Sequence, residues 1–195
     1  MAAPACNTTE KVFRMPDAHF RLMSLAFRIR DSIIPPERML ATFGVRKGMT
    51  VVDYGCGPGS YIKTVSDLVG PDGTVYAVDI HELAIESISQ RIKQKGLANV
   101  IPTLAKGYDS GLPNSAADLV CALDMFFMIP DTDAFLAEIR RITKPDGVLI
   151  IDDGHQSREK TRSAIQTSGS WTIEEETRGY LRCRPVQPAI IQEAT

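Results

Sequence analysis

The sequence predicts an α/β fold, a doubly wound and mostly parallel sheet covered by helices on both faces. Three observations predict it. Short apolar runs alternate with stretches of helical periodicity from about residue 49 to residue 166. The first of these runs breaks into a turn with glycines at 55, 57 and 59. The segment 171–186 reads as two strands joined through Arg178-Gly179, hence antiparallel.

The elements follow in order. Residues 1–16 are polar and end at Met15-Pro16, which reads as a loose arm. The stretch 19–33 has helical character, with one narrow polar stripe of Arg21, Ser24, Arg28, Asp31 and Ser32 in an otherwise apolar surface. A helix that apolar is expected to be mostly covered, by the domain, by a ligand or by another chain. Pro35-Pro36 ends it, and a short helix then stops at Gly44. Strands are expected at 49–55, 73–80, 99–105, 116–123 and 147–153. Pro102 puts the third near an edge. Helices are expected at 60–70, at 82–96 with Ile85, Ile88 and Ile92 on one face, after an Asp131 or Asp133 cap, and at 158–166.

Composition narrows the function classes. The 195 residues suit one domain, divided here into an arm and helical lid (1–45), a core (46–186) and a tail (187–195). Net charge is −2, so no whole-molecule field favours nucleic acid. Between Lys11 and Lys47, however, eight Lys/Arg face three acids. That balance is either a solvated surface or an attraction for an acidic acceptor or membrane surface. Cys6, Cys56, Cys121 and Cys183 are widely spaced and show no zinc pattern. No signal-peptide core and no membrane-spanning run is visible, so a cytoplasmic protein with reduced thiols is expected.

In parallel sheets ligands bind at the carboxyl ends of strands near the topological switch point. The stretch VVDYGCGPGS (51–60) lies at such an end. Its glycines allow positive φ and close approach of a ligand. Their spacing is GxGxG, and Ser60 stands where the dinucleotide fingerprint wants a small residue such as glycine or alanine. Asp53, two residues before the first glycine, would repel a pyrophosphate. It suits a cationic ligand such as S-adenosylmethionine, which carries an ammonium and a sulfonium. Asp79 ends the second strand 20 residues after Gly59 and can accept hydrogen bonds from two ribose hydroxyls, in NAD as well as in S-adenosylmethionine. Ile80 follows it and can lie against adenine.

The stretches VVDYGCGPGSY, VYAVDIHELAI, GLPNSAADLVCALDMFFMIPD and RRITKPDGVLIIDD, taken in this order, resemble the successive motifs of class I S-adenosylmethionine-dependent methyltransferases. The resemblance runs from about residue 36 to 186. It implies a Rossmann-like sheet of seven strands with the last antiparallel, and S-adenosyl-L-methionine as cofactor. It implies that Asp53, Gly55, Gly57 and Gly59 surround the methionine part, with Tyr61 closing the motif, that Asp79 holds the ribose, and that Leu123 passes its backbone near the cofactor. The sequence departs from the family in two places. Asp109 is the candidate for the acid that meets the adenine amino group, although it stands one or two places nearer the Leu-Pro pair than that acid usually does. After the fourth strand, Phe126 and Phe127 occur where many relatives have histidines.

Methyl transfer from a sulfonium is an in-line displacement, for which orientation alone can supply roughly 7–11 kcal/mol. A general base is needed only for an acceptor that holds its proton tightly. Candidates at strand ends are Asp124, Asp153 and His155, as acid–base groups or as ligands of a divalent cation. The alternative is a surface His155 with acids that cap helices. Phe20, Met23 and Phe27, on a lid over the cofactor mouth, and Phe127 are candidate contacts for a small-molecule acceptor. The apolar face of 19–33 also suits a homodimer seam. Its polar stripe, two arginines beside an aspartate, matches a membrane surface less well. Two alternatives stay beside the methyltransferase: a module that binds S-adenosylmethionine or its demethylated product without turnover, and an NAD(P)-dependent dehydrogenase, which Asp53 opposes.

Overall fold

The computed structural model describes residues 12–187. Residues 1–11 of the expected arm, Cys6 among them, and 188–195 of the expected tail lie outside the described residues. Seven strands form one sheet: β1 (Thr50–Tyr54), β2 (Thr74–Asp79), β3 (Val100–Leu104), β4 (Ala117–Ala122), β5 (Thr143–Ile151), β6 (Trp171–Glu176) and β7 (Leu181–Pro185). Their order is β3-β2-β1-β4-β5-β7-β6. The first five run parallel, and β7 inserts antiparallel between β5 and β6. The chain reverses direction across the sheet between β1 and β4, which makes that gap the switch point. β3 is an edge strand, where Pro102 has no central ladder position to break.

Helices α1 (Asp17–Ile33), α2 (Glu37–Leu40), α3 (Ile62–Val69), α4 (Glu82–Lys95), α5 (Thr132–Ile142) and α6 (Arg158–Thr167) complete the fold. Local chemistry sets their ends. The Asp131 carboxylate accepts the Ala134 N–H and so caps α5, while Gly96 closes α4 in the left-handed conformation. Two apolar layers cover the sheet. One gathers Val52, Val120, Phe135, Leu136 and Trp171, and the other Val51, Ile62, Val65, Ile88 and Ile150. Cys56, Cys121 and Cys183 are free and buried, and burial pushes all three thiols up, Cys183 to about 12.

A strand boundary shifts, and the domain supplies only part of the cover expected for the first long helix. β5 begins at Thr143 rather than 147, with a register irregularity where β4 pairs it between Ala117 and Leu119. The domain also leaves much of α1 uncovered. Phe20 alone is buried there, while Leu22, Leu25, Ile29 and Ile33 are 53–73% exposed. The helix has two apolar faces, and the core takes only one.

Candidate functional site

The turn after β1 is clamped onto β2. The N–H groups of Gly55 and Cys56 both donate to the Val78 carbonyl, at 2.8 and 3.0 Å. Gly55 has φ +79, and a Cβ on it would lie 2.8 Å from Met125 Cγ. No side chain fits there, so the backbone forms the wall. Gly57 donates its N–H to Asp79 Oδ2 at 2.9 Å. Gly59 has a different role from its neighbours: a Cβ there would lie 2.6 Å from Ile88 Cδ1, so the residue lets the turn pack on α4.

Above this turn lies a partly enclosed, mostly apolar cavity. Gly55, Gly57, Tyr61, Asp79, Ile80 and Leu123 form one side of it. Phe20, Met23 and Phe27 from α1 form another, and Met125, Met128 and Ile129 continue the apolar wall. The strand-end rule and the α1 segment therefore converge on one space.

Asp79 and Asp124 line this cavity, and Asp53 is buried behind its wall, near enough to feel both charges. Asp53 is 2% exposed, and its Oδ2 has no hydrogen-bond partner. Burial first, and then the charges of Asp79 and Asp124, push its carboxyl up to about 7. Asp79 accepts the Gly57 N–H on one oxygen and the His81 N–H on the other, at 2.8 Å. Each oxygen keeps a further lone pair. Burial raises its pKa, and these hydrogen bonds oppose the rise. Asp124 sits at φ +57, a conformation that costs a non-glycine residue about 1–3 kcal/mol. It is held by Asp152, whose two oxygens accept the Asp124 N–H at 3.0 and 3.1 Å. That geometry turns the Asp124 carboxylate to the cavity, where Oδ2 accepts from Tyr61 Oη and Arg30 Nη1, both at 2.6 Å. Burial lifts the Asp152 carboxyl to about 6.

Four expected site residues lie elsewhere. Asp109 is exposed, and its carboxylate accepts the Gly111 N–H, which fixes its own turn. Asp153 is bound to Arg158 at 2.8 Å. His155 is exposed, its ring edge-on to Phe127 at 4.8 Å. Phe127 packs so tightly on Gly154 that a Cβ there would lie 2.2 Å from its ring. These four are missing from the cavity wall, and Asp124, Asp153 and His155 do not converge: among the described residues no group of three or more His, Cys, Asp or Glu is placed to hold a metal ion.

Arg30, Ser60 and His81, also absent from the expected set, reach the cavity or its hub. Arg30 crosses from α1 to Asp124 and stacks over Phe27 at 4.2 Å. Its signal was available: it is the one arginine of the helix outside the polar stripe. Ser60 lines the cavity with its Oγ buried and unpartnered. His81 is buried, its Nδ1 accepting the Leu83 N–H and its Nε2 lying 3.0 Å from the Met15 carbonyl. With Phe20 stacked on it at 4.4 Å, the ring pins the entry of α1 to the top of α4.

A methyltransferase-domain family model matches residues 45–181. The demethylmenaquinone methyltransferase of Geobacillus kaustophilus is 28% identical over 140 residues, 72% of this chain and 60% of that protein. The nocamycin O-methyltransferase of Saccharothrix syringae is 33% identical over 110 residues, 56% of this chain and 39% of that protein. The chain thus spans less than two thirds of these relatives' length. In fold it is similar to an S-adenosylmethionine-dependent methyltransferase from Aquifex aeolicus, with TM-score 0.80 and 24% identity over 89% of this chain and 100% of that one. With strand order β3-β2-β1-β4-β5-β7-β6, a glycine turn after β1 and an acid ending β2, the chain belongs to the methyltransferase-domain family and has the class I S-adenosylmethionine-dependent fold.

Proposed function

We propose that the chain catalyses S-adenosylmethionine-dependent methyl transfer to an apolar small-molecule acceptor. The observation that carries this reading is the unpartnered Asp53 Oδ2, buried beside two further carboxylates at the base of a glycine turn. An uncompensated buried acid is costly unless a cation completes it. An ammonium does so; a diphosphate adds charge of the same sign, which opposes a nicotinamide dinucleotide.

The residues present fit the cofactor. Asp53 and Ser60, each with a free buried oxygen, suit the amino-acid end. Asp79 has lone pairs for two ribose hydroxyls, and Ile80 offers a face to adenine. S-adenosylmethionine supplies a methyl group on a sulfonium, already activated toward in-line attack. The chain's part is then to orient and to exclude water. Met23, Phe27, Met125, Met128 and Ile129 leave the wall no strong hydrogen-bonding side chain, so the acceptor is chiefly apolar. Asp79, His81 and Asp124 line the cavity among the described residues; Asp79 is given to the ribose, the His81 ring is held by the Leu83 N–H and the Met15 carbonyl, and both Tyr61 and Arg30 donate to the Asp124 Oδ2. Asp124 serves as the anchor that holds α1 down as a lid over the core of residues 46–186. The acceptor accordingly brings its own nucleophilic atom. The relatives' names, a demethylated menaquinone and nocamycin, are consistent with small acceptors, and the reading includes no nucleic-acid partner.

Calorimetric titration with S-adenosylmethionine, S-adenosylhomocysteine and NAD tests the cofactor, and labelled-methyl transfer into a cell extract's organic phase tests the reaction. Binding of the first two and transfer of label are expected. Tight NAD binding would refute the cofactor assignment. Cofactor binding with no label transferred to any fraction would leave a binding module instead of an enzyme.

A further inference from the structure

α1 presents one apolar face to the cavity and a second to the outside. Phe20, Met23 and Phe27 line the cavity. On the opposite side, Leu22, Leu25, Ile29 and Ile33 recur at intervals of three and four, with exposed Ala18 and Ala26 between them. Ile34, 69% exposed, continues the stripe past the helix end.

The charges around that stripe are positive. Arg21 and Arg28 fall along one edge of it, both exposed, above a groove between α1 and α4. Ser24, Ser87 and Gln90 line the groove, both serine hydroxyls donating to carbonyls of their own helices, with Glu86 as its acid. Asp31 is only 19% exposed and shares Arg30 with Asp124, and Asp17 shares Arg14 with Glu82. The aspartate that spoils the basic stripe on paper is therefore largely withdrawn from solvent in the folded chain. An apolar stripe edged by arginines on a surface helix is the pattern of a helix lying in a membrane interface, its arginines at headgroup level. A second copy of the chain is a poorer match. A stable protein–protein interface takes roughly 20–30 residues a side, and this stripe supplies about a quarter of that.

We propose that α1 docks the protein on an anionic bilayer surface, so that the helix roofing the cavity is also the one that meets the lipid. An apolar acceptor dissolved in that lipid then enters beneath α1. The delivery step rests on the apolar-acceptor reading above; the docking step rests on the faces of α1 alone.

Sedimentation of the full chain with phosphatidylcholine vesicles, with and without about one-third phosphatidylglycerol, tests it. Binding to the anionic vesicles is expected, about tenfold weaker to the neutral ones. Leu22→Glu with Ile29→Glu, and separately Arg21→Glu with Arg28→Glu, should each lower it about tenfold or more. Unchanged S-adenosylmethionine binding by calorimetry would show that these variants are folded. The proposal is overturned by no sedimentation with anionic vesicles, or by sedimentation that neither variant alters. It is also overturned by a solution dimer that Leu22→Glu dissociates, since a second copy would then occupy the stripe. Vesicle binding that persists while no lipid-soluble acceptor is methylated would refute the acceptor reading and leave the docking in place.

Discussion

Replacing Asp53 with asparagine sets stability against affinity. In the ligand-free protein the carboxyl titrates near 7, against an ordinary value of 3.8. The native state therefore binds the proton more tightly than the unfolded chain does. Stability from this group is greatest below about pH 4 and falls as pH rises through 7. The gap between 3.8 and about 7, at 1.36 kcal/mol for each factor of ten, puts the cost of the ionised form at about 4 kcal/mol at pH 8. The substitution removes that charge but leaves an amide to satisfy, at roughly 1–3 kcal/mol. Asp53→Asn should thus stabilise the free protein by about 1–3 kcal/mol at pH 8 in urea denaturation, a gain that shrinks as pH falls and becomes a loss of about 1–3 kcal/mol near pH 4. S-adenosylmethionine should bind it at least about tenfold more weakly, because the ammonium loses its partner. Wild type at pH 6 should also release a proton on binding, seen as a dependence of the calorimetric heat on buffer ionisation. A variant that is less stable at pH 8, or that binds the cofactor as well as wild type, would refute the electrostatic account.

Gly59→Ala combines a φ of +86 with a Cβ 2.6 Å from Ile88 Cδ1, and should cost about 2–4 kcal/mol in the same denaturation assay. Arg30→Ala removes a half-buried ion pair to Asp124; stability should drop by only about 1 kcal/mol, while cofactor dissociation in stopped flow accelerates severalfold as α1 loosens. His155→Ala should keep methyl transfer within about twofold of wild type in a steady-state assay, since the ring packs on Phe127 away from the cavity.

Legibility in the sequence followed how local the determining physics was. The strand–turn–helix around Asp53 and the acid at Asp79 could be read directly, because glycine spacing and strand ends fix both within a few residues. Asp109, Asp153, His155 and Phe127 sit at plausible strand ends, yet their side chains turn elsewhere. Left-handed residues at Gly107, Gly111 and Gly154 steer those loops, and no periodicity announces that. Arg30 meets Asp124 across 94 residues of sequence, a pairing that only the folded chain reveals. For α1, periodicity counted apolar residues correctly but could not say that they divide between an inner and an outer face.

The antiparallel insertion of β7 has a consequence for how the protein is made. β5 ends at Ile151, and its outer neighbour begins at Leu181. As the chain leaves the ribosome, β1 to β5 can assemble while one long side of β5 still shows bare amides and carbonyls. β6 emerges first but cannot fill that slot, because β7 must lie between them. Until the final hairpin is complete, the nascent molecule offers a ready template for any passing strand, and chaperone cover matters most in that interval.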